Sequence, residues 1–401
     1  MTSQPAFTSP VRRRALRAAF ALAAGLGALA MAPAHAAKEL VVGSILPLSG
    51  PFADQAAHYE TGMRMFLEMH GADVAGRRIK IVTRDDQGPG SGDLSRRLTQ
   101  ELISREKAEL LVGYSFTPNA MAAASLLTQA KTPAIIVNAM TAVLTEKSPY
   151  FTRISATMPM VTYTLGKWAA AQGKKTAYTI ASDYAPGVDA ETWFIKGFEE
   201  GGGKIVGKDR TPLTATEYGP FLQRAIEAKP DIVFGFNPGG DVSIAFMKQA
   251  GTRLAGTGIQ LMVTGDVVDD NLLPAMGAAV NGVISAWHYQ SDIDNPANQQ
   301  FLQAFQRKHG AGKFPSYRVV QGFDAMALVY KTLEKSGGKT GDDFMAAVKG
   351  MRLDSPRGPV LIDPATREIV EDIYIRKGEM VGGVPTNKSF TKVQAVKDPA
   401  K

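Results

Sequence analysis

The 401-residue sequence contains no cysteine. That one absence excludes disulfides, thiolate metal sites and cysteine nucleophiles together. Histidine is scarce, five residues in all, and none stands in an H-E-x-x-H or similarly paired arrangement. No serine occupies a G-x-S-x-G elbow; Ser115 lies in "GYSFT" instead. Beyond the first 36 residues there is no apolar run long enough for a transmembrane helix, and neither short repeats nor low-complexity linkers occur. "GPGSGD" (Gly88–Asp93) lacks the third glycine of a dinucleotide fingerprint and carries Pro89, which makes it a surface loop. Paired acids are present, Asp85-Asp86 and Asp269-Asp270, but at strand ends such pairs more often cap helices or face solvent. Nothing proposes a reaction, and neither a metal nor a cofactor is expected.

The one long apolar stretch stands at the start. Arg12, Arg13, Arg14 and Arg17 form a basic region, "AAFALAAGLGALAMA" (Ala18–Ala32) follows, and Ala34-His35-Ala36 gives a small-x-small cleavage pattern. The run is short for a membrane span, so residues 1–36 read as an export signal rather than an anchor. Ala15 stands where a twin-arginine signal prefers an aromatic residue, which favours general secretion. No cysteine follows to carry a lipid, so the expected product is a free protein of residues 37–401. Losing the four arginines lowers the formal net charge from +7 to +3. A charge that small over this length does not point to nucleic acid.

From Leu40 onward short apolar runs alternate with helical patterns. "VVGSILPLSG" (Val41–Gly50) reads as a strand buried on both faces and ended by Pro47, which cannot donate to a ladder. Ser49 and Gly50 then lie past a strand's carboxyl end, where open α/β sheets bind ligands. "RIKIVTRDD", "ELLVG" and "PAIIV" repeat the pattern, which restarts after Pro159 with "TAYTIAS", "DIVFGF" and "IQLMVTG". Strands alternating with helices of this length predict parallel sheets with right-handed crossovers. The expectation is two doubly wound lobes facing one cleft, the chain crossing between them more than once. Residues 37–156 with 287–353 would form one lobe, 157–286 with 354–385 the other, and 386–401 a tail.

Binding signals collect in the strand-end loops. In "GYSFTPNA" (Gly113–Ala120), Thr117 before Pro118 is a good helix cap, and Ser115, Thr117 and the free N–H groups beyond them suit a carboxylate. Asn138-Ala139-Met140-Thr141 follows the next strand. From the second half "SDYAPG" with Tyr184, "FNPGGD" with Asn237 and "TGDVVDD" with Asp266 occupy equivalent loops. Each reads equally as a turn; their concentration on one side is what favours function.

Taken in order, "VVGSILPLSG", "AGRRIKIVTRDDQ", "LVGYSFTPNAMAAA", the Asn138–Thr145 loop, "SDYAPG" and "DIVFGF…FMKQAG" resemble the periplasmic substrate-binding proteins of ABC transporters, of the branched-chain amino-acid (leucine/isoleucine/valine) type. The "SPRGPVLIDPATREIVEDIYIR" tail (Ser355–Arg376) is similar to members associated with varied, including aromatic, ligands. The resemblance implies an α/β type I periplasmic binding fold and a monomeric receptor without enzymatic activity. Its partners would be a small solute and an inner-membrane permease and ATPase; a ligand sensor reporting to a membrane receptor is the alternative. It also implies carboxylate contacts near Ser115, Phe116 and Thr117 and near Asn138–Thr141, an ammonium partner at Asp266, and an aromatic wall at Tyr184. Phe116, Asn138 and Met140 replace smaller residues of the family pattern, which tilts the expected ligand toward an aromatic or bulky apolar acid. N-terminal sequencing of exported protein should read from Ala37; material retained in the cytoplasm with its leader would refute the export reading.

Overall fold

The structure is a computed structural model and describes residues 1–2 and 37–401; the expected cleavage after Ala36 lies outside the described residues. The first half runs β1 (Lys38–Leu46), α1 (Ala53–His70), β2 (Asp73–Val74), β3 (Arg77–Asp85), α2 (Gly92–Ser104), β4 (Leu110–Gly113), α3 (Thr117–Ala130), β5 (Ala134–Ile136) and β6 (Phe151–Arg153). Their sheet has the order β2-β3-β1-β4-β5-β6 and is parallel from β1 through β6. The chain then crosses to a second sheet. There α4 (Met158–Ala171), β7 (Thr176–Ser182), α5 (Ala185–Glu200), β8 (Lys204–Thr211) and α6 (Gly219–Glu227) come first. After them follow β9 (Ile232–Phe236), α7 (Asp241–Arg253), β10 (Gln260–Thr264), α8 (Leu273–Met276) and β11 (Ile284–Trp287). Three helices return to the first lobe: α9 (Pro296–His309), α10 (Tyr317–Ser336) and α11 (Gly341–Val348).

Four antiparallel strands finish the chain on the second sheet: β12 (Arg352–Ser355), β13 (Gly358–Ile362), β14 (Ile369–Val381) and β15 (Val384–Val396). The sheet order is β12-β13-β14-β11-β10-β9-β7-β8, with β15 on β14. Residues 386–396, expected within a tail, are therefore ordered strand. Most of β15 is exposed, so its sequence shows no apolar alternation; the Gly382-Gly383 turn, both at positive φ, makes the hairpin. Asn387 pins it, donating to Val268 O and Asp270 Oδ1 at 2.8 Å each.

Both lobes depend on one packing device, a close helix crossing at glycines. A Cβ on Gly62 of α1 would fall 1.9 Å from Val319 O, and one on Gly322 of α10 would fall 2.2 Å from Tyr59 O. In the second lobe Gly166 of α4 and Gly197 of α5 each approach the other helix's backbone to 2.4 Å by the same measure.

The crossings between lobes converge on Arg357. Its Nη2 donates to Ile154 O on the first crossing (2.7 Å), its Nε to Asp324 of α10 (2.8 Å) and its Nη1 to Glu371 of β14 (3.0 Å). Nη1 also meets His288 Nδ1, just after β11, at 3.2 Å. Burial and the neighbouring Arg357, Arg376 and Arg318 hold His288 neutral. An arginine only donates, so Nδ1 must be the acceptor and the ring proton sits on Nε2. That proton faces Gln321 at 3.3 Å, whose amide then presents oxygen rather than nitrogen. Arg357→Ala would leave Asp324 and Glu371 buried without their cation and should cost about 3–5 kcal/mol. Urea unfolding checks this against Arg64→Ala, whose exposed pair with Glu60 should matter by no more than about 0.5 kcal/mol.

Candidate functional site

The first-lobe wall begins where β4 ends. Gly113 has φ 146°, and a Cβ there would lie 2.4 Å from Ile45 O, so only glycine lets β1 and β4 approach this closely. Tyr114 follows in the left-handed region, its hydroxyl bonded to Thr99 Oγ1 at 2.7 Å. This turn delivers Ser115, Phe116 and Thr117 to the cleft. Contrary to the sequence expectation, Thr117 is not the cap: the cap position belongs to Phe116, and no side chain caps α3. The Thr117 hydroxyl is engaged sideways, donating to Thr141 Oγ1 at 3.2 Å. The N–H groups of the first turn are thus left without a side-chain acceptor, at the positive end of the helix dipole.

The neighbouring loop, 138–141, is held from behind. Arg153 takes the carbonyls of Ala139 (2.6 Å) and Thr141 (2.8 Å) while pairing with Glu368 at 2.6 and 2.9 Å. Both ions are fully buried, and together they draw these two backbone acceptors away from the cleft. Asn138 donates to Ser115 O at 3.1 Å, joining the two loops.

The second lobe supplies Tyr184, Pro186, Pro238 and Asp266. Tyr184 stacks on Phe236 at 6.1 Å and 18°. Burial, and then the charge of Asp266, raises the Tyr184 hydroxyl's pKa, so it keeps its proton and serves as a donor. Asp266 is 5% exposed. Burial pushes its carboxyl up to about 6, against the opposing pull of its hydrogen bonds and of Arg318. Met158, on the first crossing, closes the floor. The free space between these walls is about 20 Å³, room for about one water molecule.

Besides the bonds at the crossings, polar ties span the cleft itself. Gln55 Nε2 donates to Pro238 O (3.3 Å), and the Ala142 N–H donates to Asp189 Oδ2 (2.9 Å). Asp269 accepts from Arg318 Nη1 (2.8 Å) and Ser316 Oγ (2.6 Å).

The structure brings Ser115, Phe116, Thr117, Asn138, Ala139, Met140, Tyr184 and Asp266 to one cavity. Thr141 stands behind it, bonded to Thr117. Ser49 is exposed outside it, its N–H directed to Asp85, and Asn237 lies off the lining with Oδ1 bonded to Ser243. Arg153, Glu368, Gln55 and Arg318 were not singled out in the sequence. Their side chains find partners 12 to 223 positions away, a separation no local pattern signals. Tyr184 and Asp266 are the lining's only ionisable side chains. Among the described residues no cluster of His, Asp or Glu could hold a metal ion. Chemically the lining sets hydroxyl, amide and carboxylate groups beside aromatic and thioether surface.

Fold and cleft define a two-lobed receptor that closes on a small molecule. The sequence model of the family described as "Periplasmic binding protein" matches residues 39–382, and the chain belongs to that family. A curated relative, the Leu/Ile/Val-binding protein homolog 6 of Brucella melitensis, is 35% identical over 93% of this chain and 97% of its own. An ABC-transporter solute-binding protein of Rhodopseudomonas palustris BisB5, solved with 3,4-dihydroxybenzoic acid, is 42% identical and superposes with a TM-score of 0.85. Another from R. palustris HaA2, solved with p-hydroxybenzoic acid, is 40% identical with a TM-score of 0.86. Each match covers 90% of this chain and 99% of the other.

A buried acid titrating near 6 binds protons in the folded state that the unfolded chain, near 3.8, has released. Its contribution is therefore lost as pH rises through that window, by about 3 kcal/mol for a shift of this size. Asp266→Asn should flatten the stability profile between about pH 4 and pH 6 by that order; chemical denaturation at both pH values tests it, and an unchanged slope would refute it.

Proposed function

We propose that this protein is the periplasmic receptor of an ABC importer for a small aromatic carboxylate, working as a monomer after cleavage at Ala36. The observation that carries the proposal is the cleft's division of labour. At one end the uncapped start of α3 and the Ser115 hydroxyl favour an anion. Phe116, Met140 and Tyr184 add adaptable apolar surface. From the second lobe Asp266 and Tyr184 offer an acceptor and a donor of the kind a ring substituent needs. The two R. palustris proteins, solved with hydroxylated benzoates, agree with this assignment. Closure follows from ligand contacts that bridge the lobes, and the closed state is favoured only as far as those contacts prefer it. The loaded receptor then hands its solute to an inner-membrane permease and its ATPase.

A second reading has its own support. Asp266 could face the ammonium of a branched-chain amino acid, as the name of the Brucella relative suggests. Calorimetry on ligand-stripped protein separates the two. Benzoate-type acids should bind one to one and leucine should not, and Ser115→Ala should weaken the acids by about 10- to 150-fold, the loss of one hydrogen bond to a charged group. Tight leucine binding without any aromatic acid would overturn the proposal. In that case Asp266→Asn should cost several kcal/mol, on the order of a broken buried ion pair.

A further inference from the structure

One layer behind Pro238 and Asp266 lies a polar cluster that ligand-end chemistry alone does not explain. Arg318, at the start of α10, is 2% exposed, and its Nη1 is paired with Asp269. Its guanidinium covers the Tyr317 ring at 4.4 Å. It reaches the underside of Gly239, where a Cβ would lie 3.0 Å from Nη2, 3.4 Å from Asp266 O and 3.7 Å from Gln55 Nε2. Around it three buried polar atoms have no hydrogen-bond partner: Arg318 Nε, Tyr59 Oη and Tyr317 Oη. The Tyr59 hydroxyl lies against both Ser115 and Arg318 without hydrogen-bond geometry to either. Buried polar groups are rarely left unpaired, because each has lost its bonds to water without replacing them.

We propose that Tyr59 and Arg318 form, with Asp266, a subsite that reads a ring hydroxyl of the bound acid. This rests on the aromatic-carboxylate reading above and assigns the residues that choose among such acids. The chemistry of the cluster argues for a neutral partner. Arg318 already has its carboxylate in Asp269, so it offers N–H donors rather than an unmatched charge. The tyrosine hydroxyls can donate or accept, and Asp266 accepts while ionised. A phenol hydroxyl, which donates once and accepts, satisfies such a mixed set; a second carboxylate would meet Asp266 and Asp269 head-on. Location supports the same conclusion. Tyr59 and Arg318 belong to the first lobe, whereas Gly239, Asp266 and Asp269 belong to the second, so the cluster straddles the surface that parts when the cleft opens. Neither Tyr59 nor Arg318 lines the cavity in this arrangement, so a ligand seated at α3 would meet them only as the lobes part.

A site built to bond a hydroxyl discriminates strongly against the analogue that lacks it. The test is calorimetry on ligand-stripped protein with benzoate, 4-hydroxybenzoate and 3,4-dihydroxybenzoate, for the native chain, Tyr59→Phe and Arg318→Met. The native protein should prefer at least one hydroxylated acid over benzoate by about tenfold or more, one hydrogen bond's worth. Tyr59→Phe, which removes a single oxygen, should shrink that preference severalfold while leaving benzoate affinity within about threefold. Arg318→Met should shrink it too, together with weaker closure through the lost Asp269 pair. Equal binding of all three acids by the native protein would overturn the proposal and leave the aromatic-carboxylate reading intact. Tyr59→Phe weakening benzoate and the hydroxybenzoates by one common factor would also overturn it, placing Tyr59 at the carboxylate end. Failure of every aromatic acid to bind would bring down both.

Discussion

The buried Arg357 hub is the constraint on which the two-lobed arrangement rests. Three crossings join the lobes, and one guanidinium touches or adjoins all of them: Ile154 on the first, His288 on the second, and its own segment after Ser355 on the third. Asp324 from α10 and Glu371 from β14 bring one carboxylate from each side. Isolated ions so deeply buried would be prohibitively costly, and the geometry compensates because nearly every donor of the guanidinium is used. A hub of this kind fixes where the lobes can pivot without fixing how far. The crossings cannot slide independently, so relative motion must be rotation about this point.

Closure itself uses weaker material. The ties across the cleft are two hydrogen bonds, Gln55 to Pro238 and Ala142 to Asp189, and the Arg318–Asp269 pair with Ser316. Such polar contacts exchange readily with water and contribute about 1 kcal/mol each, more where an ion takes part. The contrast with the hub is physical. The pivot must survive every cycle, whereas the ties must break in each.

The lobes were legible because parallel strands advertise themselves: "DIVFGF" and "TAYTIAS" are apolar runs of strand length bounded by turn residues, and both became strands. The strand-end loops followed from the same rule, which is why Ser115, Met140, Tyr184 and Asp266 were found. Three kinds of residue depart from the local reading. Thr117 lines the cavity as expected, but local propensity makes it the helix cap, whereas its hydroxyl has a tertiary partner in Thr141. Ser49 follows a strand as the rule requires, yet its loop is tethered to Asp85 and stays outside the cavity. Arg153, Arg318 and Arg357 read as ordinary charges in sequence, where arginine is expected at the surface. Only their distant carboxylates make them interior. The β15 strand was hidden for the opposite reason, since a strand mostly open to solvent carries no apolar signature.

The Arg153–Glu368 pair has a mechanical corollary. It joins the end of β6, in the first lobe, to the turn leading into β14, in the second, and Arg153 also carries the carbonyls of the 138–141 loop. In a lever, displacement grows with distance from the fulcrum. A loop hung on the fulcrum therefore moves little while the far rims swing wide. The 138–141 loop should keep nearly the same shape in the open and closed receptor, a rigid ledge for an arriving solute. The wide sweep is left to the opposite lobe, which carries Tyr184 and Asp266 over the cleft like a lid on a pan.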